Sequence, residues 1–337
     1  MVVLLQNLVA GLLNFYRGLI MKKLKYVLAA GLAVFALMVC GCNSEVESNA
    51  DDSGNDNSSN VEAELANLGF VKIAAVSISG TETWKPEVSK VFIKGRVLNI
   101  PEYYICNHEV TQKEFTSVMG ENPSNTEKCF GDAENNPVNS VTWYMAIAYC
   151  NKRSLGEGLK PCYTVDGVDN WATLKYRAIP TSSDDKWNAA TCDFTKNGYR
   201  LPTEAAWEWA ARAEQEYYYS GSYATIKDVG WVQETSIETI GETTTTASHE
   251  VMKLAPNGYN LYDMSGNVSE WCWDLYSATL TINDGLAGPS PESVTKRVDR
   301  GGNFYSNSGY AKPYDRQSRE PTEVDYGYGL RLVRVVK

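Results

Sequence analysis

Histidine is almost absent from this sequence: His108 and His249 are the only two among 337 residues. A metal centre built on three histidines is therefore excluded. An excess of basic side chains is missing as well, with 31 Lys and Arg against 41 Asp and Glu and a formal net charge of −10. Binding to nucleic-acid phosphates needs that excess, so no nucleic-acid partner is expected. The apolar run Tyr26 to Val39 has fourteen residues, short of the roughly 20 that a membrane-crossing helix needs. Among Cys106, Cys129, Cys150, Cys162, Cys192 and Cys272 no two form a Cys-x-x-Cys pair, which argues against a zinc ribbon or a thioredoxin-type motif. Apolar substance is present: 43% of residues suffice for a sizeable core and exclude wholesale disorder.

The ends of the chain differ in charge. Residues 1–42 carry Arg17, Lys22, Lys23 and Lys25 and no acid. Met21-Lys-Lys-Leu-Lys25 is a basic head, followed by the short apolar run and Val39-Cys-Gly-Cys42. That order reads as a secretory signal of the lipoprotein type over 1–42, with Met21 as start and Cys42 as the lipidated first residue of the mature protein. An ordinary signal peptide with a coincidental cysteine is the alternative. Residues 43–62 hold six acids and no base, a composition that cannot offset its ordering entropy by burial and so reads as a flexible acidic tether. The expectation is an exported, membrane-anchored lipoprotein, at the outer membrane or cell surface, with one folded domain over 63–337 and no repeat.

Within that domain, Lys90–Lys94 and Tyr103–Cys106 read as strands and Thr111–Met119 as a short helix. Asn139-Ser140 is expected to cap a second helix over Val141–Arg153, with Trp143, Ile147 and Cys150 on one face. Leu201-Pro-Thr-Glu204 opens a third, packed through Trp207, Ala210 and Ala211 as far as Arg212. Frequent Gly, Asn, Pro and Ser elsewhere predict much loop, hence an α+β class in which helices are the minority. The six cysteines allow fifteen full pairings; one disulfide or none is expected, the rest serving as small buried hydrophobes.

Several segments in order carry a resemblance: Glu109-Val-Thr111, Gly120-Glu-Asn-Pro-Ser124, Asn136-Pro-Val138 leading to Val141-Thr-Trp143, and Tyr199–Glu204 leading to Trp207–Arg212. Pro256–Trp271, Arg300-Gly-Gly302 and Gly329–Arg334 follow. Over about residues 88–337 the chain resembles the formylglycine-generating enzyme (sulfatase-modifying factor) family. The resemblance implies that family's variant of the C-type lectin fold, loop-rich with short strands and two main helices. It also implies a copper ion on two cysteines just after Arg-Gly-Gly, and those positions here are Ser306 and Ala311. Neither is a thiolate, which soft Cu(I) needs. Two histidines cannot supply the cluster of the related iron-dependent sulfoxide synthases, and no other nucleophile–base pair stands out. No catalysis and no copper are expected; the alternatives are a copper oxidase with relocated ligands involving Cys272, or an inactive paralogue that binds a sulfatase or another exported enzyme.

The same resemblance assigns a structural calcium to the loop after Asp263, through Asp263, the carbonyls of Gly266 and Val268, and Glu270. Two carboxylates around a Gly-Asn turn suit such an ion; carboxylates that merely satisfy backbone donors are the other reading. Trp271 and Trp273 read as core. Nine of the thirteen residues from Asn303 to Asp315 are Tyr, Ser, Asn, Gly or Asp, close to the set that dominates antibody paratopes. This segment, about 303–326, is similar to the C-terminal stretch of the retroelement-diversified variable lipoproteins of treponemes. Tyr305, Ser306, Asn307, Ser308, Tyr310, Tyr314, Asp315 and Arg316 are the expected ligand contacts, with Tyr326 and Tyr328 on the same rim; an ordinary solvated loop is the plainer alternative. The expected protein is a monomeric, non-catalytic binder of an extracellular protein or glycan.

Overall fold

Leu65, fully buried, and Glu62, which accepts hydrogen bonds from Lys72 Nζ at 2.9 Å and Tyr104 Oη at 2.7 Å, dock the first described helix of the computed structural model. The structure describes residues 56–79, 89–240, 243–289 and 295–336. Met21, Cys42 and residues 43–55 of the expected tether lie outside them. Helix α1 (Asp56–Asn67) begins inside that stretch, because Leu65 gives its end an apolar anchor that composition alone did not weigh.

After α1 come strands β1 (Phe70–Ile73), β2 (Val76–Ser79), β3 (Val97–Ile100) and β4 (Tyr103–Cys106), the last as expected. The strand expected at Lys90–Lys94 is a bend. Ser89 Oγ accepts the amides of Val91 and Phe92 at 3.1 and 2.9 Å, which takes them away from any ladder. A short hydroxyl side chain competing for backbone donors in this way is the chemistry of turns.

Helix α2 (Gln112–Met119) starts on a capping box: Thr111 Oγ1 accepts from Glu114 N, and Glu114 reaches back to Thr111 N. Helix α3 (Trp143–Gly156) is capped by Thr142, not by Asn139-Ser140. Asn139 Oδ1 is instead taken by Asn125 N at 2.9 Å, and Ser140 sits in the left-handed region with φ 60°. From Trp143 to Asn151 every residue of α3 is buried, so the helix is enclosed all round rather than on one face. Next come β5 (Tyr163–Thr164), the four-residue α4 (Asp185–Asn188) and β6 (Thr191–Cys192), then α5 (Glu204–Arg212), capped by Thr203 and buried along Trp207, Ala210 and Ala211. The six cysteines named above are free thiols, four of them buried.

Strands β7 (Ile237–Ile240) and β8 (Thr243–Thr246) form a hairpin, and β9 (Ser269–Leu275), β10 (Arg297–Arg300), β11 (Gln317–Arg319), β12 (Tyr328–Gly329) and β13 (Val333–Arg334) complete the fold. One sheet has the order β1-β4-β13; the other, β11-β10-β9-β12, pairs antiparallel except for β12 on β9. All seven residues of β9 are buried, as they must be when both faces of a sheet are covered. Trp271 and Trp273 belong to one apolar core with α3, whereas Cys272 and Val298 belong to a second with α5.

Helix α5 is tied to β10 by ions. Arg300, 0% exposed, donates to Glu208 Oε2 at 2.6 Å, and Glu208 Oε1 takes Arg212 at 2.8 Å. Arg316 grips Glu204 through Nε and Nη2 at 2.6 and 2.8 Å. Removing one member of such a network strands a buried charge, which is far more costly than the pair is stabilising. Arg300→Met is expected to lower the unfolding free energy by about 3 kcal/mol or more in urea titrations; a loss below about 1 kcal/mol would show that the network is dispensable.

Candidate functional site

Beyond β10 the backbone is steered by two glycines. Gly301 and Gly302 have φ of 93° and 68°, and a Cβ on Gly302 would stand 2.9–3.0 Å from the Tyr310–Ala311 backbone. Only glycine meets both demands. The segment that follows is then fixed through its main chain. Arg300 donates to the carbonyls of Pro313, at 2.8 Å, and Asp315. Ser236 Oγ and Ser265 Oγ donate to the carbonyls of Phe304 and Ala311, and Gln233 N to that of Ser306. Phe304, wholly buried, packs on Tyr326.

These anchors hold open a cleft of about 350 Å³. Ser269 of β9 and Gln317 and Arg319 of β11 form one side; Asn303, Tyr305, Ser306 and Tyr310 form the other. Tyr310 is 48% exposed. Tyr305 donates its hydroxyl to Asp325 and stacks edge-on against Tyr326 at 5.0 Å. Gly327 is required here: a Cβ would lie 2.4 Å from Asn303 Nδ2 and 2.7 Å from the Tyr305 ring.

The expected contact residues divide. Tyr305, Ser306 and Tyr310 line the cleft. Asn307 and Ser308 lie beside it on a short turn, where Asn307 Oδ1 accepts from Gly309 N at 2.8 Å. Tyr314 lies apart, flanked by Arg212 and Lys312 at 5.7 Å. Asp315 lends its carbonyl to Arg300 and its carboxylate to Gln317. Arg316 is a correction: 7% exposed and clamped on Glu204, it holds the loop's end and offers no donor to a ligand. Tyr328 is also buried, at 5%, and its hydroxyl goes to Glu323.

The model of the sulfatase-modifying factor enzyme 1-like domain matches residues 79–336. The chain belongs to the sulfatase-modifying factor family. It is 34% identical to the chaperone protein LppX of Paenibacillus barcinonensis, over 79% of this chain and 98% of the relative. A solved structure, Treponema denticola variable protein 1, is 34% identical and superposes with a TM-score of 0.68 over 79% of this chain and 94% of that one. The formylglycine-generating enzyme of Thermomonospora curvata is 38% identical over 38% of this chain and 46% of its own length.

The two positions that the resemblance gives to copper ligands do not fit a metal in this family member. Ser306 Oγ both accepts from Asn303 N and donates to Asn303 O at 2.9 Å. The methyl of Ala311 is fully buried against Ile226 and Val232. Cys272 belongs to the α5 core, on the far face of β9 from Ser269, with its thiol pushed well up by burial. Its place in β9 gives relocated copper chemistry no footing in the cleft.

Glu270 is equally committed. Its Oε1 takes Arg331 Nη2 at 2.7 Å and its Oε2 takes Trp207 Nε1 at 2.6 Å. Glu109 occupies the Gly-Asn turn, accepting from Val268 N at 2.9 Å and Asn267 Nδ2 at 2.7 Å. Asp263 keeps one unpartnered oxygen, and burial pushes its carboxyl up to about 6. Among the described residues no three His, Cys, Asp or Glu are placed to hold a metal. The expected set Asp263, Gly266, Val268 and Glu270 therefore does not fit calcium: Arg331 supplies the positive charge, and lone pairs needed by the ion are spent.

One nucleophile–base pair escaped sequence reading. Cys106 Sγ lies 3.4 Å from His108 Nδ1, and His108 Nε2 lies 3.5 Å from Glu114. Residues two apart at a strand end share a face, a signal that was available. Cys106 is 2% exposed and lines no cleft described here. A larger groove of about 640 Å³ beside Glu114, Arg153 and Glu157 has its charges paired, Arg153 with Glu157 at 3.0 Å and Glu114 at 3.5 Å.

Sequence reading also missed Asp299. Burial, reinforced by Glu323 and Asp315, pushes its carboxyl up to about 7, while Arg319 and the Ser269 hydroxyl pull the other way. A carboxyl whose pKa is higher folded than unfolded contributes stability in acid, and that contribution disappears as pH rises through the folded value. Asp299→Asn is accordingly expected to raise Tm more at pH 8 than at pH 5, by about 3 °C or more in calorimetry; equal shifts would mean the carboxyl is not held up. Calcium at millimolar excess, or EDTA, is expected to leave Tm within about 1 °C, and a large calcium-dependent rise would restore the metal loop.

Proposed function

We propose that this sulfatase-modifying factor family member is a non-catalytic binding protein, exported and held at a membrane by a lipid on Cys42, which takes its ligand at the Tyr305–Tyr310 cleft. The observation that carries this reading is the state of Ser306 and Ala311. Where the resemblance expects two reactive thiolates, one side chain is closed on Asn303 and the other is a packed methyl. Around them stand amphipathic tyrosines on a backbone anchored from behind, the arrangement that gives contact area at low entropy cost. Likeness to Treponema denticola variable protein 1 supports a binding role. Likeness to a chaperone protein over 98% of that relative's length favours a polypeptide ligand, and with it the second reading: a partner that holds another exported protein.

Binding and catalysis separate cleanly by experiment. Tyr310→Ala is expected to shift Tm by less than about 1 °C, since the ring is half exposed, yet to weaken capture of exported proteins or arrayed glycans about tenfold or more. A large stability loss with unchanged capture would make Tyr310 a packing residue and end this reading. Formation of formylglycine on a cysteine-containing sulfatase peptide with added copper would do so too. Cys42→Ala is expected to release the protein from membranes.

A further inference from the structure

Asp299 occupies the middle strand of the sheet behind the cleft. In register it faces Gln317 of β11 and Trp271 of β9, and Arg297, two residues earlier, faces Arg319. Ser269, two residues before Trp271, shares that face of the sheet. Ser269, Gln317 and Arg319 all line the cleft, so the Asp299 carboxylate is on the face of the sheet that backs it, directly behind them. It is 1% exposed; the Ser269 hydroxyl is beside it, yet neither oxygen makes a fully formed hydrogen bond.

That face is short of positive charge. Arg319 Nε stands 3.8 Å from Asp299 and 3.9 Å from Glu323, too far to hydrogen-bond either, so one guanidinium is shared by two carboxylates. Asp325, beneath the Tyr305 hydroxyl, adds a third. Three other buried carboxylates each own a guanidinium at 2.6–2.8 Å: Glu208 with Arg300, Glu204 with Arg316, Glu270 with Arg331. Glu109 and Asp274 are held by amide donors instead, and among the described residues Asp263 alone shares with Asp299 an oxygen left without a donor. A buried carboxylate left without donors is costly unless something completes it. An incoming anion would add to the surplus, and an apolar group would leave both oxygens bare. An ammonium or guanidinium group brings both the charge and several N–H donors, and tyrosine faces such as those of Tyr305 and Tyr310 favour cations.

We propose that the cleft binds an ammonium or guanidinium group, with Asp299 as its counter-ion. This rests on the cleft being the ligand site, and it names the chemistry of what enters. The space, about 350 Å³, is at the small end of ligand pockets; it suits one basic side chain of a partner polypeptide or a small free amine. Because burial holds the Asp299 carboxyl up to about 7, this counter-ion is mostly ionised at pH 8 and mostly protonated at pH 5.

The test is calorimetric titration of the purified chain at pH 8 with capped Ala-Lys-Ala, Ala-Arg-Ala, Ala-Gln-Ala and Ala-Glu-Ala, and with agmatine. The Lys or Arg peptide is expected to bind about tenfold more tightly than the Gln peptide, to lose that advantage at pH 5, and to lose it in Asp299→Asn without any fall in Tm. Agmatine binding at least as tightly as the peptides identifies a free amine as the source; weaker agmatine binding identifies a basic side chain. Equal affinity for Lys and Gln peptides, unchanged binding by Asp299→Asn, or no binding of any cationic probe overturns the proposal. Binding that needs Tyr310 but ignores Asp299 would sink the cation and keep the ligand site; the reverse pattern would sink the Tyr310 reading alone.

Discussion

The buried guanidinium of Arg300 is the constraint on which the cleft depends. On one side it neutralises Glu208 of α5; on the other it accepts the chain's return by donating to the carbonyls of Pro313 and Asp315. A charge in that position is tolerated because its terminal nitrogens find a carboxylate and two carbonyls, although its Nε has no acceptor. Its place at the end of β10, just before two glycines in left-handed conformation, sends the following segment across the sheet rather than along it. Arg300-Gly-Gly302 thus encodes an anchor and a corner.

The loop's supports share one property: most reach its main chain. Ser236, Ser265, Gln233 and Asn267 bond to the carbonyls or amides of Phe304, Ala311 and Ser306, groups that any residue would supply. Phe304, Ala311 and Arg316 are buried and fixed, whereas Tyr310 projects from a backbone whose course does not depend on its ring. Such a division lets side chains at the rim change at small cost to stability, since exposed substitutions away from caps and buried pairs are nearly neutral. It gives a physical basis for likeness to a variable protein without requiring that this chain itself vary.

Local signals in the sequence were legible and distant ones were not. Thr111 and Thr203 announced their helices because a cap and the amide that donates to it lie within three residues. Tyr103–Cys106 was readable because a buried strand needs only a short aromatic and β-branched run. Lys90–Lys94 looked alike, but Ser89 diverted its amides, and Thr142 displaced Asn139 as a cap because Asn139 was claimed by Asn125 from another loop. Composition pointed to the segment that holds Tyr305, Ser306 and Tyr310, which line the cleft. Arg316 and Glu270 were misassigned because their partners, Glu204 and Arg331, are 112 and 61 residues away. Asp299 could not be found before the register of β9, β10 and β11 was known.

That last carboxylate stands apart from the ion-paired acids of the neighbouring helix and strand. Glu204, Glu208 and Glu270 are as deeply buried as Asp299 and each is matched by its own arginine. The protein has the means to neutralise an acid in this sheet, and Arg319 is near enough to do so, yet it stands between two carboxylates and over the Tyr328 ring at 5.3 Å. Stability alone would favour a neutral or apolar residue in the middle of β10, where both neighbouring strands exclude water. A buried carboxyl with only a shared guanidinium, behind an open cleft, departs from the pairing that Glu204, Glu208 and Glu270 keep, and such departures concentrate where binding is done.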